Sequence, residues 1–300
     1  LEMTVSASAG SYVTACKPGM TGDGIRGDFT VTESDDAPSV GADEAALVDQ
    51  AVAGYAHYVR EQTEELVSKT AEFVRLYKSG DDAAARALYP EARTHWERIE
   101  TVAESFGDLD PLTDLREADV EPGEDWTGWH RIEKDLWPER AQETAQGYTP
   151  MTTEERARYG DDLLANITTL DDRVQSLTYT VDQIANGSRG LLEEVATGKV
   201  TGEEEYWSWT DLWDFQANLD GAEKIVALLR PLTTKADPAL SARIDRNFAT
   251  VDRILAKYRT ADGGFETYDK LTLEDRKALQ GPVTALAEDL AKLKGTLGIG

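Results

Sequence analysis

Histidine, cysteine and methionine are scarce in this 300-residue chain, with three, one and three residues respectively. The lone Cys16 excludes an intramolecular disulfide and fits either redox compartment. Positive charge is also sparse. Against 57 acidic side chains stand 31 lysines and arginines, a formal charge of −26, which argues against nucleic acid, because phosphate binding depends on basic side chains. Cations are the natural ligands of such a chain. No apolar run approaches the ~18 residues of a membrane span. The chain opens on Leu1 with no charged leader and apolar run, so a signal peptide is expected to be absent or already removed. What is present suffices for a core: 40% hydrophobic residues and seven tryptophans indicate a globular acidic protein rather than a disordered one.

The most informative stretch runs from Gly128 to Trp137. At ~100° per residue, a helix here places Trp126, Trp129, Ile132, Leu136 and Trp137 on one apolar arc, with Arg131, Lys134 and Asp135 opposite. Glu133 falls inside that arc. A carboxylate is almost never fully buried without a partner, and one left unpaired must protonate or destabilise the fold. His130, three residues earlier, is its neighbour on the same surface, so an imidazole nitrogen and a carboxylate oxygen can converge on one cation. His-x-x-Glu reads as a metal clip. A core-edge histidine, with Glu133 as hydrogen-bond acceptor or arginine partner, is the structural alternative.

Residues 1 to 32 differ from the rest. Met3-Thr4-Val5, Ser11-Tyr12-Val13-Thr14 and Ile25 to Val31 read as strands, separated by turns over Lys17 to Gly24. Cys16 to Met20 between strands looks like the last hairpin of a cupredoxin, whose copper loop carries Cys, His and Met. No histidine lies between Cys16 and Met20 and the preceding strands of such a fold are missing. No copper site is expected, and Cys16 reads as a small apolar residue or free thiol. Glu33 to Gly41, acidic and containing Pro38, reads as a linker, and the chain from residue 42 to 300 as helical.

The first helix is expected from about Asp43 to Lys78, with Tyr55, Leu66, Phe73 and Tyr77 on its stripe and His57 off it in solvent. The second, about Asp82 to Phe106, contains Pro90, expected to kink or divide it. Glu100 borders its stripe and Glu97 lies further out, so Glu100 is the better candidate to face a core, with a solvated acidic face as the alternative for both. Gly107 to Asp125 reads as a loop, Pro138 as the end of the His130 helix, and 139 to 151 as a polar excursion. Thr152 to Glu155 is a capping box opening one long helix to about Ala185, with interruptions at Asn186-Gly187 and Gly190 and a short helix to Thr197. After a turn at Gly198 to Gly202 comes a second aromatic and acidic cluster. Glu203 to Glu205 suit a helix start, whereas Asp211, Asp214 and Asn218 at helical spacing among tryptophans are harder to dismiss. Pro231 is expected to end that helix. Two more follow, marked by Leu240 to Tyr258 and by Thr272 to Leu293. The expected fold is all-α, two packed antiparallel four-helix bundles after a short β-hairpin.

Three motifs in this order, Ala92 to Glu100, Gly128 to Glu133 and Thr210 to Asn218, resemble the imelysin-like family, named for a putative peptidase, and within it the extracytoplasmic component of a bacterial iron-uptake system. The resemblance covers about residues 42 to 296, and the N-terminal hairpin fits it as the remnant of a cupredoxin-like domain. It implies two helical bundles, His130 and Glu133 as the first metal ligands, and Glu97, Glu100 and Asp161 as further acids. Periodicity alone puts Asp161 opposite the apolar seam of its helix. The resemblance further implies iron, Fe(II) or Fe(III), as the metal, with Zn(II) able to substitute, and a membrane iron permease and a haem-containing peroxidase as partners outside the cytoplasm.

One imidazole with several carboxylates suits Fe, Mn or Zn rather than copper(I), which prefers sulfur; preferring iron rests on the resemblance. The leading expectation is therefore a non-catalytic protein that captures iron and delivers it to a permease. A metallopeptidase is the first alternative, but zincins use two imidazoles in His-Glu-x-x-His, and His57 and His95 lie far from the motif. Cation-mediated binding of an acidic polysaccharide in the groove between bundles is the second.

Overall fold

The computed structural model describes residues 10–16, 25–32, 42–123, 125–143, 148–197 and 202–297. The expected strand at Met3 to Val5, the turn containing Met20, the linker 33–41 and the turn at 198–201 lie outside these residues. Strands β1 (Gly10–Cys16) and β2 (Ile25–Val31) form an antiparallel hairpin in which Tyr12 stands opposite Phe29, with their rings stacked 5.4 Å apart.

The rest is helical. The first long helix, α1 (Ala42–Ser79), packs against α2 (Asp82–Glu97) and α6 (Thr153–Val174), while the short α3 (Leu109–Asp114) and α4 (Trp129–Leu136) complete this N-terminal bundle. Helices α7 (Val181–Thr197), α8 (Asp211–Ala236), α9 (Pro238–Leu255) and α10 (Leu273–Leu297) pack in a ring as the second bundle. Contacts of α8 with α1 and α2 join the two bundles. Among the described residues no helix is long and apolar enough to cross a membrane.

Several boundaries depart from the sequence reading. Helix α2 runs through Pro90 and gives way only at Arg98-Ile99, followed by a 3-10 segment from Glu100 to Phe106. The cause is tertiary. Asn218 on α8 donates its side-chain amide to the Glu97 carbonyl at 3.0 Å, competing for an acceptor that continued helix would use. Two glycines then admit the turned backbone, since a Cβ at Gly221 would stand 2.3 Å from the Arg98 carbonyl oxygen and one at Gly187 1.9 Å from that of Thr101.

The expected helix from Thr153 to Ala185 is two. The Thr152 capping box opens α6 as read from the sequence, but α6 ends at Val174. Thr180 and Gln183 then make a second reciprocal pair, Gln183 N to Thr180 Oγ1 at 3.2 Å and Thr180 N to Gln183 Oε1 at 2.8 Å, which starts α7. That helix continues through Gly187 and Gly190, and α8 likewise continues through Pro231 to Ala236. Where a loop was expected, α3 forms. Pro138 ends α4 as expected and occupies the first turn of a short α5 (Pro138–Gln142).

Candidate metal centre

Helix α4 is buried along its length except at the half-buried Arg131. Trp129 packs 5.0 Å from Phe73 and 5.8 Å from Tyr89, and Ile132 and Leu136 are buried with it, each such side chain stabilising the fold by about 1.5–3 kcal/mol. Of the polar residues expected opposite the apolar arc, Lys134 and Asp135 are buried too and Arg131 is half-buried. Lys134 pairs with Glu117 and lies 5.3 Å over the Trp207 ring. Asp135 accepts from Tyr77 Oη at 2.8 Å, from Tyr148 Oη and from the Met151 amide at 2.9 Å, and pairs with Arg156 at 2.7 Å. A helix whose acids and bases each find a partner needs no solvent-facing side.

One glycine sets the entry of α4. Gly128 has φ +88° and ψ −166°, a backbone conformation open essentially to glycine alone, and a Cβ there would stand 2.2 Å from the Thr113 carbonyl oxygen. This close approach brings the start of α4 against the end of α3, and so His130 against Asp114. From the opposite side comes the segment 203–210 preceding α8. Its Trp207 and Ser208 amides donate to Glu133 Oε1 at 2.9 and 2.6 Å. Arg140 on α5 holds the Trp207 and Ser208 carbonyls at 2.5 and 2.7 Å and stacks 3.7 Å over the ring of Trp209, whose φ is +61°.

Around His130 and Arg93, both fully buried, six carboxylates collect from five parts of the chain. His130 Nδ1 is 3.1 Å from Glu133 Oε2. Its Nε2 faces Asp114 Oδ1 at 3.5 Å and Glu204 Oε1 at 3.7 Å, without a hydrogen-bond partner among the described residues. Arg93 pairs with Asp114, with Glu97 and Glu205 at 2.5 Å each, and with Asp214 at 3.6 Å. Donor atoms of Asp114, His130 and Glu204, and equally of His130, Glu133 and Glu205, lie within 4.8 Å of one another. These are cation-sized groupings with negative charge in excess.

That excess of negative charge shifts the pKa values of the buried groups. Burial and the Arg93 charge both press the His130 pKa downward, but the carboxylates of Glu133, Glu204 and Glu205 outweigh them and hold it well above its ordinary value. Burial, with Glu133 beside it, pushes Glu205 up to about 8 against the pull of Arg93, and burial pushes Asp211 up to about 7. Each of these shifts favours the protonated form of its group.

A cleft of about 710 Å³ reaches this centre. It lies between α7, the 3-10 segment after α2 and α3, and Asp114 and Glu204 form part of its wall together with Glu100, Glu104, Asp119 and Asp182.

Residues 51–293 match the sequence model of the imelysin family. The chain belongs to the imelysin family. It is 46% identical to the iron uptake system component EfeO of Yersinia pseudotuberculosis and 44% identical to that of Escherichia coli K12, in each case over 99% of this chain and 76% of the relative. Its identity to the iron uptake system component EfeM of Pseudomonas syringae is 48%, over 83% of this chain and 84% of that relative.

Of the imelysin-type site residues expected from the sequence, the fold brings His130, Glu133, Glu97 and Glu100 to one region. The order of the last two is reversed. Glu97 is fully buried because Arg93, one turn earlier, pairs with it, whereas Glu100 is half-buried on the cleft wall and accepts from Asn218 at 2.9 Å. Asp161 stands on the exposed side of α6, paired with Lys78 at 2.5 Å, outside both groupings. Sequence reasoning misses Asp114 and Glu204 as members of these groupings, and the role of Arg93 entirely, since one lies in an expected loop, one in an acidic run that suits any helix start, and a lone arginine is not itself a signal.

Proposed function

We propose that this chain is the extracytoplasmic iron-binding component of a bacterial iron-uptake system, taking up the ion at the His130 centre and passing it to a membrane permease. The observation that carries the reading is a buried imidazole whose two nitrogens both face carboxylates, at the inner end of an acid-walled cleft. Asp114, Glu133, Glu204 and Glu205 are the pool of ligands within reach, with Glu97 and Glu100 behind them. An imidazole with carboxylates suits Fe(II), Fe(III) or Zn(II), and the names of the EfeO and EfeM relatives favour iron among these. The ion is cargo. A haem peroxidase of the same system is the second partner in this reading, and the hairpin at 10–31 is the remnant of a cupredoxin-like module joined through residues 33–41.

The peptidase name attached to the family motivates the rival. Hydrolysis by metal-bound water in the zincin manner needs a second imidazole at the metal. Here His57 pairs with Glu61 on the exposed face of α1, and His95 bonds Gln62 at 2.9 Å. We expect no cleavage of an unstructured protein with any divalent metal; hydrolysis that disappears in Glu133→Ala would promote the peptidase. The direct test is calorimetric titration of metal-depleted chain with Fe(II) under anaerobic conditions, Fe(III), Zn(II) and Cu(II) side by side. Saturable binding of Fe(II) or Fe(III) supports the reading, and binding of neither removes it.

A further inference from the structure

Segment 203–210 reaches the centre as a strap rather than a helix, and it is gripped from both sides. Its inner side carries Glu204 and Glu205 and donates the Trp207 and Ser208 amides to Glu133 Oε1. Ser208 Oγ bonds Glu205 Oε2 at 2.7 Å, which fixes that carboxyl on the strap itself. On the outer side one nitrogen of Arg140, Nη1, donates to the carbonyls of Trp207 and Ser208. The Ser208 amide and the Trp207 carbonyl belong to one peptide unit, and in a trans peptide the two point in opposite directions. Glu133 therefore holds one end of this peptide and Arg140 the other. A carboxylate and a guanidinium at the two ends of a peptide dipole polarise it in the same sense, so each hydrogen bond strengthens the other.

The strap is also held under strain. Trp209 has φ +61°, a conformation that a bulky side chain adopts only where its surroundings impose it. Two contacts do so here. The Arg140 guanidinium stacks 3.7 Å over the indole ring, and the Tyr268 amide donates to the Trp209 carbonyl at 2.8 Å. Tyr268 lies against Gly202 as well, where a Cβ would stand 2.3 Å from its ring. Arg140 anchors the strap from α5, and Tyr268 anchors it from the C-terminal half. Arg140 is half-buried and makes no salt bridge among the described residues, so its charge is committed to the strap.

We propose that Arg140 is the positioning residue of this strap: its clasp on Trp207, Ser208 and Trp209 keeps Glu204 and Glu205 against His130, and opening of the clasp is the step by which a bound cation leaves. This rests on the reading that the chain binds a cation at His130, and it adds how the ion is retained and let go. Asp114, His130 and Glu133 are carried by α3 and α4, whereas Glu204 and Glu205 move with the strap. When the clasp opens, the centre loses the acids of the strap and Glu133 loses both amides in one movement. The strain at Trp209 is relieved in the same step, so a few contacts on one short segment decide between closed and open. Entry differs from exit. The cleft meets the centre along α3, α7 and the 3-10 segment, so an ion arrives there without the strap moving.

The test measures rates on the whole chain with Zn(II) as probe. Stopped-flow mixing of the loaded protein with excess chelator reads dissociation, and the dependence of the binding rate on Zn(II) concentration reads association. Arg140→Met keeps the length of the side chain but removes its charge, both hydrogen bonds and the stack. It should raise the dissociation rate at least about tenfold, the equivalent of one charge-assisted hydrogen bond, with association like the parent's. Arg140→Lys keeps the charge and a donor but not the planar group that stacks, and should fall between the two. In the metal-free protein Arg140→Met should quicken hydrogen exchange across 203–210 and not in α1 or α9. Unchanged dissociation, slowed association in its place, or exchange that quickens equally in α1 and α9 overturns the proposal. A second pair decides even if Arg140→Met fails to fold. Trp209→Ala removes the stack and keeps the strained backbone, whereas Trp209→Gly relieves both, so Zn(II) should leave the alanine variant faster than the glycine one; the reverse order or equal rates overturn the clasp. A parent chain that binds no Zn(II), or a His130→Ala variant that binds like the parent, brings down the underlying reading together with this one, whereas the outcomes above bring down the clasp alone.

Discussion

Replacing Arg93 by methionine separates what the acids contribute from what their counter-ion contributes. The guanidinium is fully buried and pairs with Glu97 and Glu205 at 2.5 Å each, with Asp114, and with Asp214 at 3.6 Å. Methionine fills similar length without charge. Removing one partner of a buried ion pair costs about 3–5 kcal/mol, and at about 2–4 °C per kcal/mol for a domain of this size the melting temperature should fall by about 6–20 °C at pH 7. The sign of the pH effect follows from the carboxylates. Without the pull of Arg93 the Glu205 carboxyl, which burial pushes up to about 8 even in its presence, rises further, so this part of the variant's deficit grows as pH rises through about 8. Saturating Zn(II) should recover more of the melting temperature in Arg93→Met than in the parent, since an ion replaces the missing positive charge. Scanning calorimetry at pH 7 and pH 9, with and without Zn(II) at pH 7, reads all three effects. A loss under about 1 kcal/mol that does not change with pH would show that Arg93 is not the counter-ion of this cluster.

Gly128→Ala forces a Cβ to 2.2 Å from the Thr113 carbonyl at φ +88°. Chemical denaturation should show a loss of more than about 3 kcal/mol, and metal binding should weaken as α3 and α4 part; a silent substitution would mean that the approach of these helices is unimportant. Glu205→Gln removes a carboxyl that burial holds near 8. A raised acid pKa makes the folded state lose stability as pH rises from the unfolded value to the folded one, so the thermal stability gained by the variant should grow between about pH 4.5 and pH 8, and a gain that is flat with pH would contradict the stated cause. Metal affinity should itself fall with acidity. His130 is held well above its ordinary pKa by Glu133, Glu204 and Glu205, so binding displaces a proton already at neutrality and the dissociation constant for Zn(II) should rise by at least about tenfold per pH unit below pH 7; a constant that stays flat from pH 7 to 5 would mean that neither His130 nor the acids bind the ion.

Where local chemistry decides the conformation, the sequence is legible by itself. The 3.6-residue stripe of Tyr55, Leu66, Phe73 and Tyr77 marks α1 almost to the residue, and the Thr152 box marks the start of α6. Glu133 stands out because a carboxylate inside an apolar arc requires a partner. What local reasoning misses is decided across the fold. The break after Glu97 depends on Asn218, more than a hundred residues away, and on glycines in two other helices. Asp135 reads as solvent-facing on a helical wheel, whereas Tyr77, Tyr148 and Arg156 close over it. Thr180 to Gln183 carries a capping signal as plain as Thr152 to Glu155, but a continuous apolar seam through Leu177 conceals it. Arg93 shows the limit most clearly: a buried arginine is recognised only by its acids, and those come from α2, α3, the 203–210 segment and α8.

The equilibrium constant for anaerobic Fe(II) binding, measured on the parent and on His130→Ala with helical content checked by circular dichroism, tests the central claim most directly. The account predicts saturable binding by the parent and at least about tenfold weaker binding by the variant at unchanged helicity. Equal affinities in the two proteins would contradict it and place any iron site elsewhere in the chain.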